Sequence, residues 1–373
     1  MKFSVIIINY NYGCFVGQAI ESALAIDWSD KEIIVVDDGS TDDSLEVIES
    51  FGDRLTAIFT ANAGRMSAAN AGLERSTGDL VIFLDSDDAL LPSVAQRVMS
   101  VWKRGVANVQ YPLIYVDETL KPLGRCFPVY TEKNTPEWAA RSMRETGAYL
   151  GSPTSGNAGS RDFLDELRPF PSSRVGLTWL DMYLQKLVPF FGDVMSLTTP
   201  QCLYRWHGRN ESNSALLTKY VDLLEQADFV YEHANKLLQK KNRASSLSHE
   251  NEYYSKLSLV TKRFFPSRYP APLASLLLRY WQTVWRGEFS AKKILLSFLE
   301  PRCGGVATAG CALGDAESKR PLYHWQRWHN GHNSLQNSSP RVRMKITRVD
   351  DHVRSEKNES HSRSGVPSAI HVR

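Results

Sequence analysis

The 373-residue sequence lacks the marks of three broad classes of protein. Its five cysteines are scattered without a C-x-x-C pair, so reduced structural thiols are expected rather than a disulfide framework. A formal net charge of only +3 argues against a dedicated nucleic-acid binder. No apolar stretch reaches the roughly 18 residues of a membrane span, and the apolar run Phe3–Ile8 is too short for a signal peptide. We therefore expect a cytoplasmic protein, with contact at the inner face of a membrane left open.

The first ninety residues alternate β-branched runs with stretches of helical periodicity, which is the pattern of βαβ units feeding a mainly parallel sheet. Predicted strands are Ser4–Ile8, Glu32–Val36, Leu55–Phe59, Leu80–Leu84 and Val109–Val116, the last with Pro112 near an edge or bulge. Predicted helices are Val16–Ala25, one with Ser40 as its N-cap, Ser67–Arg75, Val94–Arg104 and Trp179–Leu187. The sequence thus predicts an α/β fold in which the first four strands end at one edge of the sheet.

Beyond the sheet region the signal for strands weakens. Residues 216–238 predict a long amphipathic helix outside the α/β core, serving as a packing or dimer element. The basic and aromatic residues 262–302 fit a packed helix, which is favoured, or a helix at a membrane surface. After Cys303 the chain has few apolar residues and is predicted to be disordered. The expected organisation is an α/β domain at 1–212, a helical extension at 213–302 and a low-complexity tail at 303–373.

Three acidic side chains follow directly after the buried strand Leu80–Leu84. Asp85, Asp87 and Asp88 raise one another's pKa unless they share a cation. Carboxylates suit Mg²⁺ or Mn²⁺, and a site with one or two protein carboxylates leaves coordination positions for phosphate. Because ligands of open α/β sheets bind beyond the carboxyl ends of the strands, the sequence predicts a metal-assisted site at this edge.

A second acidic pair, Asp37 and Asp38, ends another predicted strand. Successive side chains of a strand point to opposite faces, so the two carboxylates cannot both reach one ligand. Asp38, followed by Gly39 and a helix N-terminus, is placed to accept a hydrogen bond from a base N–H. The alternative is a turn whose aspartates cap the helix, and this motif alone does not decide between them.

Four motifs in register resemble glycosyltransferase family 2. They are Ser-Val-Ile-Ile-Ile-Asn-Tyr-Asn at 4–11, Val-Asp-Asp-Gly-Ser-Thr-Asp at 36–42, Asn-Ala-Gly at 62–64 with Ala-Asn-Ala-Gly at 69–72, and Gly-Asp at 78–79 with Asp-Ser-Asp-Asp at 85–88. The resemblance implies a type A glycosyltransferase fold with a Rossmann-like nucleotide-binding sheet and inversion at the anomeric carbon. It also implies a nucleotide-diphosphate-sugar donor, expected to be a UDP-sugar, a divalent ion, Mn²⁺ or Mg²⁺, and a role in surface-polysaccharide synthesis.

The resemblance assigns roles to individual residues. Ile8 and Tyr10 are implied to line the nucleobase pocket, and Asp38 to accept a hydrogen bond from a base N–H. The other residues implied to contact the donor are Asn62, Gly64, Asn70, Asp85 and Ser86. Asp87 is implied as the most direct metal ligand, with Asp85 at the ribose or a metal-bound water. Residues 203–210 resemble the family's Tyr-Arg-x-His stretch, in which His207 would complete the metal site and Arg205 would meet phosphate oxygens.

Attack by an acceptor hydroxyl requires a carboxylate base within hydrogen-bond reach. The family places this base as Glu-Asp or a single Asp opening a helix, which matches Asp181, although Leu180 replaces the first acid. Asp165 and Asp193 are poorer candidates. The loop Ser155–Asn157 matches one that faces donor and acceptor in relatives.

Two other functions remain open at this point. The loss of the first acid motivates a nucleotide-sugar-binding module without catalysis. A phosphatase of the haloacid dehalogenase type also carries Asp-x-Asp after an apolar strand, but it expects Thr or Val where Ala89 stands. The favoured function is transfer of a sugar to a hydroxyl of a glycan or lipid-linked acceptor, and a homo-oligomer is left open.

Overall fold

The computed structural model describes residues 1–171, 179–208, 210, 218–242 and 247. These residues form an α/β fold with a large and a small sheet. The strands are β1 (Phe3–Asn9), β2 (Lys31–Asp37), β3 (Thr56–Phe59), β4 (Leu80–Asp85), β5 (Ala89–Leu90), β6 (Val106–Gln110), β7 (Leu113–Val116), β8 (Pro122–Phe127), β9 (Asn157–Ser160), β10 (Asp193–Ser196) and β11 (Cys202–Arg205). The helices are α1 (Gly13–Leu24), α2 (Ser44–Glu49), α3 (Arg65–Arg75), α4 (Val94–Val101), α5 (Pro136–Thr146), α6 (Arg161–Leu167), α7 (Leu180–Phe191) and α8 (Thr218–Lys240).

Within the described residues, the large sheet has seven strands in the order β10-β6-β9-β4-β1-β2-β3. Strands β1 to β4 run parallel to one another, and β9 is antiparallel to its neighbours β4 and β6. Every residue of β1 is buried, as expected for a parallel strand covered on both faces. The prediction of a mainly parallel sheet flanked by helices, with four strands ending at one edge, is confirmed.

The two faces of the large sheet pack against different helices. Ile6 and Ile8 of β1 face a cluster that includes buried residues of α3, α6, α7 and α8, whereas Val5 and Ile7 face α1, α2 and α4. Helix α8 therefore belongs to the core of the α/β domain. Its predicted packing role is confirmed, but its predicted position outside that core is wrong.

The predicted strand Val109–Val116 is in fact two strands in two sheets. β6 ends at Gln110 in the large sheet, and β7 starts at Leu113 in a small sheet ordered β5-β11-β7-β8. Pro112 lies at the crossing point, where its missing N–H takes no ladder hydrogen bond. The small sheet places β11 beside β5, which begins one residue after Asp88.

The predicted N-cap at Ser40 is also wrong. Helix α2 begins at Ser44, whose amide donates to Asp42 Oδ1 over 3.1 Å. The Ser40 hydroxyl instead donates to Asp37 Oδ2 over 2.7 Å and accepts from the amide of Asn11 over 2.8 Å. Ser40 thus joins the ends of β1 and β2. Because its hydroxyl is hydrogen-bonded to groups at these strand ends, it does not cap the amides of α2.

The predictions for residues 262–302 and 303–373 lie outside the described residues. Among those that are described, no helix combines the length and the hydropathy needed to cross a membrane.

Candidate active site

The predicted acidic residues meet at one edge of the large sheet. In the register of the parallel strands, Asn9 pairs with Asp37 and Ile8 pairs with Asp85. Asn9 Nδ2 donates to Asp37 Oδ2 over 2.7 Å, so Asp37 joins the ends of the two strands, and Asp38, next in the chain, is buried. The strand topology therefore brings the two acidic motifs together as predicted.

Asp87 and His207 form the centre of this edge. His207 Nε2 lies 3.0 Å from Asp87 Oδ2, and the His207 side chain is 1% exposed while that of Asp87 is 17% exposed. The imidazole packs against the rings of Phe15 and Tyr12, with centroid distances of 5.0 and 5.6 Å. Asn210 Oδ1 accepts from the His207 amide over 2.6 Å. A buried, fixed imidazole therefore presents its nitrogen to a carboxylate that reaches solvent.

This pair fits a divalent ion. His207 Nε2 and Asp87 Oδ2 are 3.0 Å apart, the length of a direct hydrogen bond. Two adjacent ligands of an octahedral ion at about 2.1 Å would lie about the same distance apart. One imidazole nitrogen and one carboxylate oxygen suit Mn²⁺ better than Mg²⁺, which prefers oxygen ligands. In the part of the chain that the structure describes, no three His, Cys, Asp or Glu form a metal-binding group. Asp85, Asp87 and His207 are therefore not brought together as a three-residue group in the described structure, and their predicted metal role stays a prediction.

Arg205 does not serve the predicted phosphate contact. Its guanidinium is buried and donates to the Asp87 carbonyl over 2.7 Å, to Gln18 Oε1 over 2.6 Å and to the Glu118 carbonyl. It also lies 4.6 Å from the centroid of the Phe15 ring. Because main-chain and side-chain acceptors already hold the guanidinium, Arg205 fixes the backbone of Asp87 instead of binding a ligand.

Asp88 is buried behind the Asp87–His207 pair. Its Oδ1 accepts from the amide of Arg205 over 3.0 Å. Burial, followed by the negative charges of Asp87 and Asp85, raises the pKa of Asp88 well above its ordinary value. Asp88 therefore braces β11 against the acidic motif.

Asp85 takes a different partner from Asp87. Its Oδ1 accepts from Arg65 Nη1 over 2.9 Å, and its amide donates to Ser155 Oγ over 3.1 Å. Ser86, next in the chain, is buried. Sequence reasoning missed Arg65, although it directly follows Gly64 of the third motif and opens α3.

Asp38 shapes the loop before α3. Its two carboxylate oxygens accept from the amides of Ala63 and Gly64 over 2.9 and 2.8 Å. Gly39 has φ +76°, and a Cβ there would lie 2.6 Å from the amide nitrogen of Asn62. The loop with Asn62 and Gly64 is therefore packed tightly against the end of β2.

Sequence comparison identifies the family. Residues 4–168 match the family model described as Glycosyl transferase family 2. An uncharacterized glycosyltransferase of Nostoc sp. is 36% identical over 220 residues, which cover 58% of this chain and 68% of the relative. The chain belongs to glycosyltransferase family 2. It is therefore a glycosyltransferase, of the class that draws its sugar from a nucleotide-sugar donor.

The chain is also similar to three further proteins. The GalNAc(5)-diNAcBac-PP-undecaprenol beta-1,3-glucosyltransferase of Campylobacter jejuni is 35% identical over 113 residues, which are 29% of this chain and 37% of that relative. The structure of S. aureus TarS 1-349 in complex with UDP-GlcNAc has a TM-score of 0.48 at 18% identity, covering 77% of this chain and 90% of that chain. A mannosyltransferase of Pyrobaculum calidifontis with GDP-Man and Mn²⁺ has a TM-score of 0.44 at 15% identity, covering 88% of this chain and 84% of the other.

The remaining donor residues implied by family 2 differ in their surroundings. Ile8 is buried at the end of β1, and Tyr10 just beyond it is 46% exposed. Asn70 is held on both sides of its amide by the main chain of Phe170, as donor over 2.8 Å and acceptor over 2.7 Å. Asn70 therefore braces the segment after α6, and its implied donor contact stays a prediction.

Asp181 lies in the first turn of α7, as family 2 implies for the base. Its Oδ1 accepts from the amide of Met182 over 2.8 Å, and its side chain is partly exposed. Leu180 is fully buried in the core, so an acid at that position would carry a desolvation cost. The burial of position 180 thus gives a physical reason why Leu180 stands where the Glu-Asp pattern has its first acid.

A loop connects the helix of Asp181 to the acidic motif. Gln185 Nε2, one turn after Asp181, donates to the Ser152 carbonyl over 2.5 Å. Three residues further along this loop, Ser155 accepts from the Asp85 amide. The predicted donor and acceptor loop is therefore anchored to both α7 and β4.

Proposed function

We propose that this enzyme is an inverting transferase that moves a sugar from a nucleoside-diphosphate donor, expected to be a UDP-sugar, to a hydroxyl of a glycan or lipid-linked acceptor. The proposal is carried by the 3.0 Å contact between Asp87 and His207, beside a second acid, Asp85. The name of the C. jejuni relative, with its undecaprenol-linked acceptor, supports a lipid-linked acceptor.

The donor would lie across the carboxyl ends of β1, β2 and β4. Tyr10 offers an exposed ring for stacking on the base, and Asp38 holds the Asn62–Gly64 loop that walls this pocket. A divalent ion on Asp87 and His207 would neutralise the charge that develops on the departing diphosphate. Asp85 would orient the ribose.

Asp181 would remove the proton from the acceptor hydroxyl. Inversion needs a base on the face of the sugar opposite the diphosphate, within hydrogen-bond reach of the acceptor. The N-terminal turn of α7 holds the Asp181 carboxylate in place through the amide of Met182. The anchored loop with Ser155 would then separate the base from the acidic motif by a fixed distance.

Release of UDP from a panel of UDP-sugars with Mn²⁺ tests this function. Asp181→Asn is expected to bind UDP like wild type but to turn over at least about 100-fold more slowly, because it lacks the base. Asp193→Asn, a change at a partly exposed acid of β10, serves as the matched control and should keep wild-type turnover.

Two results would contradict the proposal. An Asp181→Asn variant that transfers sugar as fast as wild type would remove Asp181 from the base role. A wild-type chain that binds UDP but neither transfers nor hydrolyses any donor would favour the nucleotide-sugar-binding module. Contact with a membrane surface and oligomerisation stay predictions.

A further inference from the structure

Arg65 and Asp85 form an ion pair at the edge of the proposed donor site. The atoms Arg65 Nη1 and Asp85 Oδ1 are 2.9 Å apart, and the two side chains are 27% and 18% exposed. A charge-assisted hydrogen bond of this length fixes the direction of a carboxylate as well as offsetting its charge. The pair therefore fixes the direction of the Asp85 carboxylate.

The backbone of Arg65 is itself held in place. It follows Gly64, whose amide donates to Asp38 and whose φ of +89° suits glycine. Asp38 directly follows β2 and Asp85 ends β4, and these two strands flank β1 in the sheet. A continuous set of contacts thus runs from the proposed nucleobase end of the site, through Gly64 and Arg65, to the acidic motif.

The acidic motif needs such a cation beside Asp85. Asp85, Asp87 and Asp88 lie within four residues, and a donor diphosphate would add further negative charge. Arg205 is committed to main-chain carbonyls and to Gln18, and His207 faces Asp87. Arg65, among the residues that the structure describes, forms an ion pair with the first acid.

We infer that Arg65 is a positioning residue of the donor site, which aims Asp85 and offsets its charge so that a nucleoside diphosphate can bind. This inference rests on the proposed function. Because Arg65 acts through Asp85 and not on the acceptor, its loss changes donor binding and the KM for the donor, while kcat stays nearly unchanged.

Calorimetric titration of UDP in the presence of Mn²⁺ tests the role of Arg65. Arg65→Met is expected to weaken UDP binding about tenfold. Arg65→Lys should recover part of the affinity, because lysine keeps the positive charge but lacks the planar guanidinium with its paired donors. Arg75→Met is the matched control, since Arg75 is an exposed arginine at the other end of the same helix, and it should bind like wild type.

Combining Arg65→Met with Asp85→Asn tests the coupling directly. The double variant should lose less UDP binding free energy than the two single variants lose together, because each change removes the same ion pair. Additive losses would overturn the inference, as would an Arg65→Met variant that binds UDP like wild type. Melting temperatures of all variants separate lost binding from lost folding.

Failure of the proposed function gives a different result. A wild-type chain that binds neither UDP nor GDP with Mn²⁺ overturns the proposed function, and the inference with it. Wild-type binding that Arg65→Met leaves unchanged overturns the inference alone.

Discussion

At the scale of single residues, the site depends on side chains far apart in sequence. Asp87 and His207 were predictable because each lies in a motif with a recognisable pattern of neighbours. The role of Arg205 was not predictable, since an arginine binds phosphate or stays buried according to its partners. Here those partners, Gln18 and Glu118, come from separate segments that no local pattern connects to it.

Gly39→Ala tests the tight packing of the loop Asn62–Gly64 against the end of β2. The change should destabilise the chain by roughly 1 kcal/mol because a positive φ disfavours a Cβ. It should also weaken UDP binding, since the new Cβ would lie 2.6 Å from the Asn62 amide nitrogen and would push the loop away from Asp38. Thermal melting and calorimetric titration of UDP measure the two effects.

Gly105→Ala is the control for backbone strain. Gly105 has φ +95°, but a Cβ there has no neighbour within 4 Å. The control should lose similar stability and keep UDP affinity. Equal UDP affinities for the two variants would contradict the role of Gly39 in placing the loop.

At the scale of elements, the strands β1, β2, β3 and β4 begin and end within a residue of their predicted limits. β1, β2 and β4 could be predicted because burial on both faces leaves a continuous apolar run with a sharp polar end. β3 lies at the edge of the sheet and alternates partly buried with exposed residues. The break at Pro112 could not be predicted, because residues 109–116 read as one apolar strand and only the tertiary structure decides that its halves join different sheets. The start of α2 was misplaced because Ser40 has a partner in the neighbouring strand end.

Lys186 on α7 gives a prediction about pH. The side chain is buried, its ammonium donates to the Gly147 carbonyl, and burial lowers the pKa of Lys186 to about 7. The unfolded chain, with a Lys pKa near 10.5, binds this proton more readily between pH 7 and pH 10.5. Below pH 7 the folded chain therefore bears the whole free-energy cost of burying a charged Lys186. The free energy of unfolding increases as the pH rises from 7 to 10.5.

Lys186→Met should remove this dependence. We expect the variant to melt at a higher temperature than wild type at pH 7, and the difference to be smaller at pH 9.5, because Met places no charge in the buried site. Thermal melting of wild type and variant at the two pH values measures the change. A variant with the same pH slope as wild type would show that Lys186 is not the group responsible.

At the scale of the whole molecule, α8 and the sheet share one core. Leu224, Val230 and Tyr231 of α8 belong to the same buried cluster as Leu180 and Leu187 of α7. The helix could be predicted from its apolar periodicity, but its docking surface could not, since periodicity shows that a face is covered and not what covers it. The helix that carries Asp181 is therefore supported from behind by α8.

Leu224→Ala tests whether α8 is part of the catalytic unit. Removing a buried leucine should cost about 2–5 kcal/mol and lower the single melting transition of the enzyme. Glu225→Ala, at an exposed position of the same helix, should leave the transition nearly unchanged. A second, separate transition affected only by Leu224→Ala would contradict a shared core.

Asp87 and His207 are proposed to hold an ion that binds the donor diphosphate. Calorimetric titration of UDP into wild type and Asp87→Ala, with Mn²⁺ and then with EDTA, tests it most directly. Tight UDP binding is expected only for wild type with Mn²⁺, because the variant loses a metal ligand. Equal UDP affinity in EDTA, or in Asp87→Ala with Mn²⁺, would contradict it.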